Sequence, residues 1–255
     1  MANGNSWKKI CGDTGVLKHD FSKGPFPLNN NHIKIACQDF KETGEKEVRI
    51  LCKQDTREQR PSIFKELGLF LLPIKNGKYI IVKGEGYVDI PEIKKESVYI
   101  SKLDFDLETS KIGNSEMQHL DFAFASSLIR TFMEDPSLVL TIRGRKYTPK
   151  FSFKIGDKNI DVEGVQTEVD AGYEGKKQIV LIEAKSGNVK NTIIRQLYYP
   201  YRQWSEHTKK PISLLFFESK NKTYYIWQYE FTDKYDYNSI RLVKSEKYQI
   251  VKGEG

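Results

Sequence analysis

The sequence predicts a mixed α/β (α+β) fold, with a central sheet of mixed strand direction flanked by helices. Three observations carry this reading. The run Ile179-Val180-Leu181-Ile182 is apolar on both faces, the mark of a strand covered on both sides. Ile194, Leu197, Tyr198 and Tyr201 fall at i, i+3, i+4 and i+7, an amphipathic helix that faces the sheet. The runs at 211–217 and 223–231 are rich in β-branched and aromatic residues and should complete the sheet. Helix, strands, helix, strands is the order of an α/β/α sandwich.

Taken in order, residues 1–113 read as an N-terminal α+β subdomain and 114–255 as the main domain. Up to about residue 55 the pattern is weak. Segments 32–37 and 47–53 suggest short strands. Residues 61–70 look helical, with Pro61 tolerated in the first turn. Asn76-Gly77 between two apolar runs predicts a tight hairpin. A helix followed by a hairpin has the order of a winged helix, with Lys75 and Lys78 at the wing tip in reach of phosphates. A plain α+β subdomain with lysines solubilising a turn fits equally.

Residues 111–114 read as a linker. Ser115 and Gln118 have capping-box spacing, and a helix should run from there through Leu120, Phe124, Leu128 and Phe132, stopping before Pro136. Glu134 is a candidate extra acid, although an exposed helix end is the simpler reading. Arg143, Arg145 and Lys146 read as a basic turn, either solvated or holding a phosphate backbone. Residues 150–155 alternate as a half-buried strand, and Gly156-Asp157 turns the chain into a second. Pro200 should kink its helix or divide it, with Arg195, Gln196, Tyr199 and Arg202 on its other faces.

Composition narrows the class. The chain has 255 residues, 29% of them charged, and a net charge of +7 that suits a polyanionic partner such as nucleic acid. Three cysteines, Cys11, Cys37 and Cys52, form no disulfide framework and suit a reducing cytosol. Cys11, His19, His32 and Cys37 match no closed zinc spacing, which leaves free buried thiols. No signal peptide and no membrane span are expected.

The chemistry concentrates in residues 166–185, QTEVDAGYEGKKQIVLIEAK, which read as two strands joined by a turn at 174–177. The second strand is apolar for four residues and then ends in Glu183 and Lys185, which share a face. Pairing Tyr173 with Gln178 would set Glu168 opposite Glu183 and Asp170 opposite Leu181. Gln166, Glu168 and Asp170 then lie on the face of Glu183 and Lys185. Acids so close do not all stay ionised without a cation. A hard ion such as Mg²⁺ takes one or two carboxylates and keeps several waters.

Asp170, a turn, then Glu183-Ala184-Lys185 resembles the PD-(D/E)XK nuclease superfamily. With QTEVDAGYE before it and Arg195-Gln196-Leu197-Tyr198-Tyr199-Pro200-Tyr201-Arg202 after it, the second half of the chain is similar to Type II restriction endonucleases. Val169 stands where the motif has proline. The resemblance implies that Asp170 and Glu183 hold Mg²⁺, that the Ala184 carbonyl joins them, and that Lys185 is the catalytic lysine. Glu168 could replace or assist Asp170. Gln196 is implied near the metal water or phosphate. Arg143, Arg145, Lys146 and Arg195, with Lys75 and Lys78, are the candidate DNA contacts.

The expected function is a Mg²⁺-dependent, sequence-specific endonuclease of double-stranded DNA, in a prokaryotic cytoplasm. A homodimer and a cognate DNA methyltransferase are the implied partners. The alternatives are a structure-specific repair or recombination nuclease of the same superfamily, and a non-catalytic DNA-binding protein.

Overall fold

A computed structural model describes residues 3–109 and 115–252. The expected linker at 111–114 lies outside the described residues. The N-terminal part contains α1 (Gly4–Thr14), β1 (Phe26–Asn29), α2 (Asn30–Ala36), α3 (Thr43–Lys46), α4 (Val48–Leu51), α5 (Ser62–Leu67), β2 (Leu69–Lys75) and β3 (Lys78–Lys83). It is followed by β4 (Tyr87–Asp89), β5 (Glu96–Ile100), α6 (Glu116–Ala125), α7 (Leu128–Phe132), β6 (Val139–Tyr147), β7 (Phe151–Ile155) and β8 (Lys158–Val162). The chain continues through β9 (Gln166–Glu174), β10 (Ile179–Ser186), β11 (Asn191–Ile193), α8 (Arg195–Ser205), β12 (Ile212–Lys220), β13 (Thr223–Phe231) and β14 (Ile240–Val251).

A seven-stranded mixed sheet, in the order β5-β14-β13-β12-β10-β9-β6, forms the centre. β10 runs parallel to β12 and antiparallel to β9. Its alternation explains why its sequence is apolar on both faces. Ile179 and Leu181 point into one core with Leu197, Tyr198 and Tyr199 of α8. Val180, Ile182 and Ala184 point into the other, with Leu120 and Ala123 of α6 and Leu128 and Phe132 of α7. Helices therefore cover both faces of a mixed sheet, as the sequence predicts at that level.

The N-terminal three-stranded sheet, β1-β3-β2, is also shared between two cores. Leu69, Leu71 and Ile81 pack with Trp7, Ile10 and Phe64. Phe70, Leu72, Ile80 and Val82 on the opposite face join the α8 core. The Asn76-Gly77 hairpin forms as expected, with Gly77 at φ 72. β5 lies before residue 113 and forms the edge of the large sheet through β14, so that sheet draws on both sides of residue 113.

Five local expectations are corrected. Residues 32–37 and 47–53 are not strands; they fall in α2 and α4. The Asn29 side chain accepts the His32 N–H and starts α2, and the buried pairs Ile33/Ala36 and Val48/Leu51 follow helical spacing. The helix after Ser115 has the capping box but breaks at Ser126 and Ser127, where Ser127 takes φ 67, giving α6 and α7. Arg143–Lys146 is no turn: it lies within β6, which bulges at Gly144 with φ 86. Of the two effects expected of Pro200, division of the helix does not occur, since α8 is one helix over 195–205. Tyr199 and Arg202 are buried, and Arg202 donates to the carbonyls of Ser152 and Lys234 at 2.8 and 3.1 Å.

Candidate active site

The β9–β10 hairpin closes on a tighter turn than the sequence suggests, with Gln178 level with Gly175 and not Tyr173. Gly175 N–H donates to the Gln178 carbonyl at 2.8 Å, and the ladder runs from Ile179↔Glu174 to Ile182↔Ala171. Each strand thus keeps its facing but the register moves by two. Asp170, rather than Glu168, comes level with Glu183.

At that level the two strands separate. The Ala184 N–H donates to Asp170 Oδ2 at 2.7 Å, so a side chain takes the place of a ladder partner. In an extended strand the N–H and C=O of one residue point to the same edge. The Ala184 carbonyl therefore faces Asp170 as well. Arg143 Nε donates to the Asp170 carbonyl at 3.2 Å while its guanidinium pairs with Asp121, fixing the backbone from behind.

Glu183 continues the series Ile179, Leu181 on the α8 face and is 8% exposed. Lys185 Nζ is hydrogen-bonded to Glu183 Oε1. Burial, helped by the nearby Asp170 charge and opposed by Lys185, raises the Glu183 carboxyl to about 7. Burial also raises Asp170, against the Ala184 N–H and Lys185, which lower it. For Lys185, burial pulls the value down, but the charge and hydrogen bond of Glu183 outweigh it and the net shift is upward. Two carboxylates thus share one ammonium group, with Glu183 buried and Asp170 and Lys185 half-buried.

These residues line a cavity of about 540 Å³. Glu168, Arg145, Gln196 and Arg195 line it too. Glu168 is held by Arg145 at 3.2 Å, and both are exposed at its rim. Gln196, which lines the cavity, accepts at Oε1 from Thr192 Oγ1 at 2.7 Å. Lys75, Lys78, Arg143 and Lys146 do not line it. Lys75 is within 3.9 Å of Glu163, and Lys146 Nζ sits 5.9 Å from the Trp204 ring centroid. Glu134 is exposed beside Lys244 and is far from contributing an acid.

The cavity holds residues that sequence reasoning missed: Glu116 at the start of α6, and Arg49, Lys53 and Asp55 from the N-terminal part. Asp55 adds negative charge near Glu183 and Lys185, and Arg195 approaches it at 3.8 Å. Its carbonyl accepts the Ile193 N–H at 2.8 Å, which pins this loop against the entrance to α8. No local pattern marks Asp55, because only long-range packing brings it here.

A model described as Domain of unknown function (DUF6997) matches residues 82–249, and one described as Domain of unknown function (DUF6996) matches residues 4–81. The chain belongs to the DUF6997 family. No curated protein and no solved structure matches. Asp170, Glu183, Lys185 and Gln196 all lie in the DUF6997 segment, and the DUF6996 segment lends Arg49, Lys53 and Asp55 to the same cavity.

Among the described residues, no group of three or more His, Cys, Asp or Glu side chains is arranged to hold a metal. Two carboxylates and a carbonyl are nonetheless a donor set that suits Mg²⁺, which keeps most of its ligands as water. Burial is the main cause of the raised values of Asp170 and Glu183, and neighbouring carboxylates add to it. No helix of the described residues is long and apolar enough to cross a membrane.

Proposed function

We propose that this chain is a Mg²⁺-dependent endonuclease of double-stranded DNA, of the kind found among Type II restriction enzymes. The observation that supports it is the convergence of Asp170, Glu183 and Lys185 in one cavity at the end of a buried strand. A structural ion pair needs no second carboxylate, and a second carboxylate beside the buried Glu183 favours a further cation.

Asp170, Glu183 and the Ala184 carbonyl would hold the ion, with Glu168 at the rim as a further acid. Mg²⁺, when bound, offsets charge on a scissile phosphate and acidifies a water. Lys185 orients that water and donates to a phosphate oxygen, a task for a compact ammonium held in place by Glu183. Gln196 donates from the opposite wall. Arg145 and Arg195 at the edge of the cavity hold flanking phosphates. Lys75 and Lys78 stand at the Asn76-Gly77 turn, where they can reach the duplex backbone outside the cavity. A palindromic target would call for a two-fold dimer, and a partner methyltransferase would protect host DNA.

Digestion of long methylated and unmethylated duplex DNA with Mg²⁺, followed by reading of the cut ends, tests the reading. Discrete ends at one short sequence support it. Cutting only at branched or mismatched structures would move the chain to structure-specific nucleases. Tight binding with no cutting in Mg²⁺ or Mn²⁺ would make it a non-catalytic DNA-binding protein.

A further inference from the structure

A recess of about 840 Å³ opens beside the acid cavity. The two share Arg49, Lys53, Asp55, Gln166 and Arg195 and therefore adjoin each other. Most of the recess is built by the DUF6996 segment, including the two short helices α2 and α4. Asn30 and Lys34 line it from one face of α2 at i and i+4 spacing, and Arg49 lines it from α4.

Its rim is cationic. Lys34, Lys46, Arg49, Lys53, Lys75 and Arg195 face only two carboxylates, Glu47 and Asp55. Among the described residues, no ion pair engages Lys34, Lys46 or Arg49, and all three are exposed. Unpaired cations around a concave surface favour a polyanion. The remaining lining is rich in amides: Asn30, Gln38, Gln54, Asn76 and Gln166. Pro73 and Tyr79 give it an apolar surface against which a base can lie.

A second observation points the same way. Asn30 Oδ1 and Gln54 Oε1 are buried acceptors without a hydrogen-bond partner, and both residues line this recess. A buried acceptor left unpaired is destabilising. Neither oxygen is solvent-accessible in this structure, so each meets a ligand only when its side chain turns toward the recess. Carboxamides are also the side chains that read base edges, with both a donor and an acceptor on one rigid group.

We propose that this recess is the track of the DNA strand leaving the acid cavity. Its phosphates follow Lys34, Lys46 and Arg49, and its bases lie over the amides. The inference rests on the nuclease reading for what happens at Glu183, and it makes the DUF6996 segment the reader of the substrate.

Fluorescence anisotropy in EDTA tests it, with the full chain and a short labelled duplex or its single strand as probe. The double variant Lys34→Glu/Arg49→Glu should bind at least ~10-fold more weakly, with the salt slope reduced by about two. Lys41→Glu, exposed and outside the recess, should change affinity by less than about 2-fold. Should the double reversal misfold, Lys34→Gln/Arg49→Gln reads the same effect at smaller size. Equal weakening by the rim variant and Lys41→Glu overturns the assignment. So does unchanged affinity in the rim variant, or no binding of either probe by the wild type. Rim-dependent binding without cleavage in any divalent metal overturns the catalytic reading alone. Cleavage that persists with unaltered affinity in the rim variant overturns the recess alone.

Discussion

Asp170 Oδ2 accepts the Ala184 N–H at 2.7 Å where β9 and β10 cease to pair. One carboxylate oxygen is thereby committed to the backbone. The other is left for a cation, and the carboxylate is held level with Glu183. The hydrogen bond and the charge are separable.

Asp170→Asn keeps an acceptor for the Ala184 N–H, and Asp170→Ala removes it. Urea unfolding should place Asp170→Asn within about 1 kcal/mol of wild type, and Asp170→Ala lower by roughly 1–3 kcal/mol. Neither should retain Mg²⁺-dependent cleavage above about a thousandth of wild type. A fully active Asp170→Asn would remove this residue from the metal site.

Mg²⁺ should stabilise the wild type and not Glu183→Gln. A ligand that binds only the folded state adds about 2.7 kcal/mol at 100 times its Kd. For a chain of this size each kcal/mol raises Tm by roughly 2–4 °C. Thermal melts with and without Mg²⁺ read the shift directly. Equal shifts in both proteins would mean that the ion binds elsewhere.

Glu218 should make stability fall as pH rises. It is 4% exposed, and burial raises its carboxyl to about 7 from the ordinary 4.5, against the Val189 N–H and Lys220. Between those values the folded state holds a proton that the unfolded state has released. Stability is full below 4.5 and lost by the time pH passes 7. Glu218→Gln keeps an acceptor for Val189 and cannot ionise. Its advantage over wild type should be near zero at pH 4 and reach on the order of 2 kcal/mol at pH 8. A constant difference across that range would contradict this.

The legible parts of the chain were those fixed by local pattern. Residues 179–182 announce a central strand because alternate side chains enter two different cores. Asp170, Glu183 and Lys185 stood out because charges at the tip of such a strand conflict with its burial. The register differs by two because nothing in residues 174–178 distinguishes a turn closed by Gly175 and Gln178 from a longer one closed by Tyr173 and Gln178. Ile35 and Ile50 are exposed at 65% and 40%, and these surface isoleucines supplied an alternation that mimicked strands where the chain forms α2 and α4. Asp55 and Glu116 reach the cavity only through tertiary packing, which no window of sequence contains.

Gly172, two residues beyond Asp170, tests how tightly this hairpin is packed. A Cβ there would lie 2.6 Å from Ile142 Cβ on β6, closer than side-chain carbons pack. Gly172→Ala should cost about 1–3 kcal/mol by overpacking. Measured in an Ile142→Gly background, which removes the facing Cβ, the penalty of Gly172→Ala should shrink. An unchanged penalty in chemical unfolding would show that the strain lies elsewhere.

The central claim is that Glu183 grips a divalent ion for phosphodiester hydrolysis. Supercoiled plasmid incubated with Mg²⁺ and either wild type or Glu183→Ala tests it most directly. The account predicts nicked and linear products from the wild type, none with EDTA, and none from Glu183→Ala at equal folded concentration. Equal cutting by the two proteins, or no cutting by the wild type in any divalent metal, would contradict it.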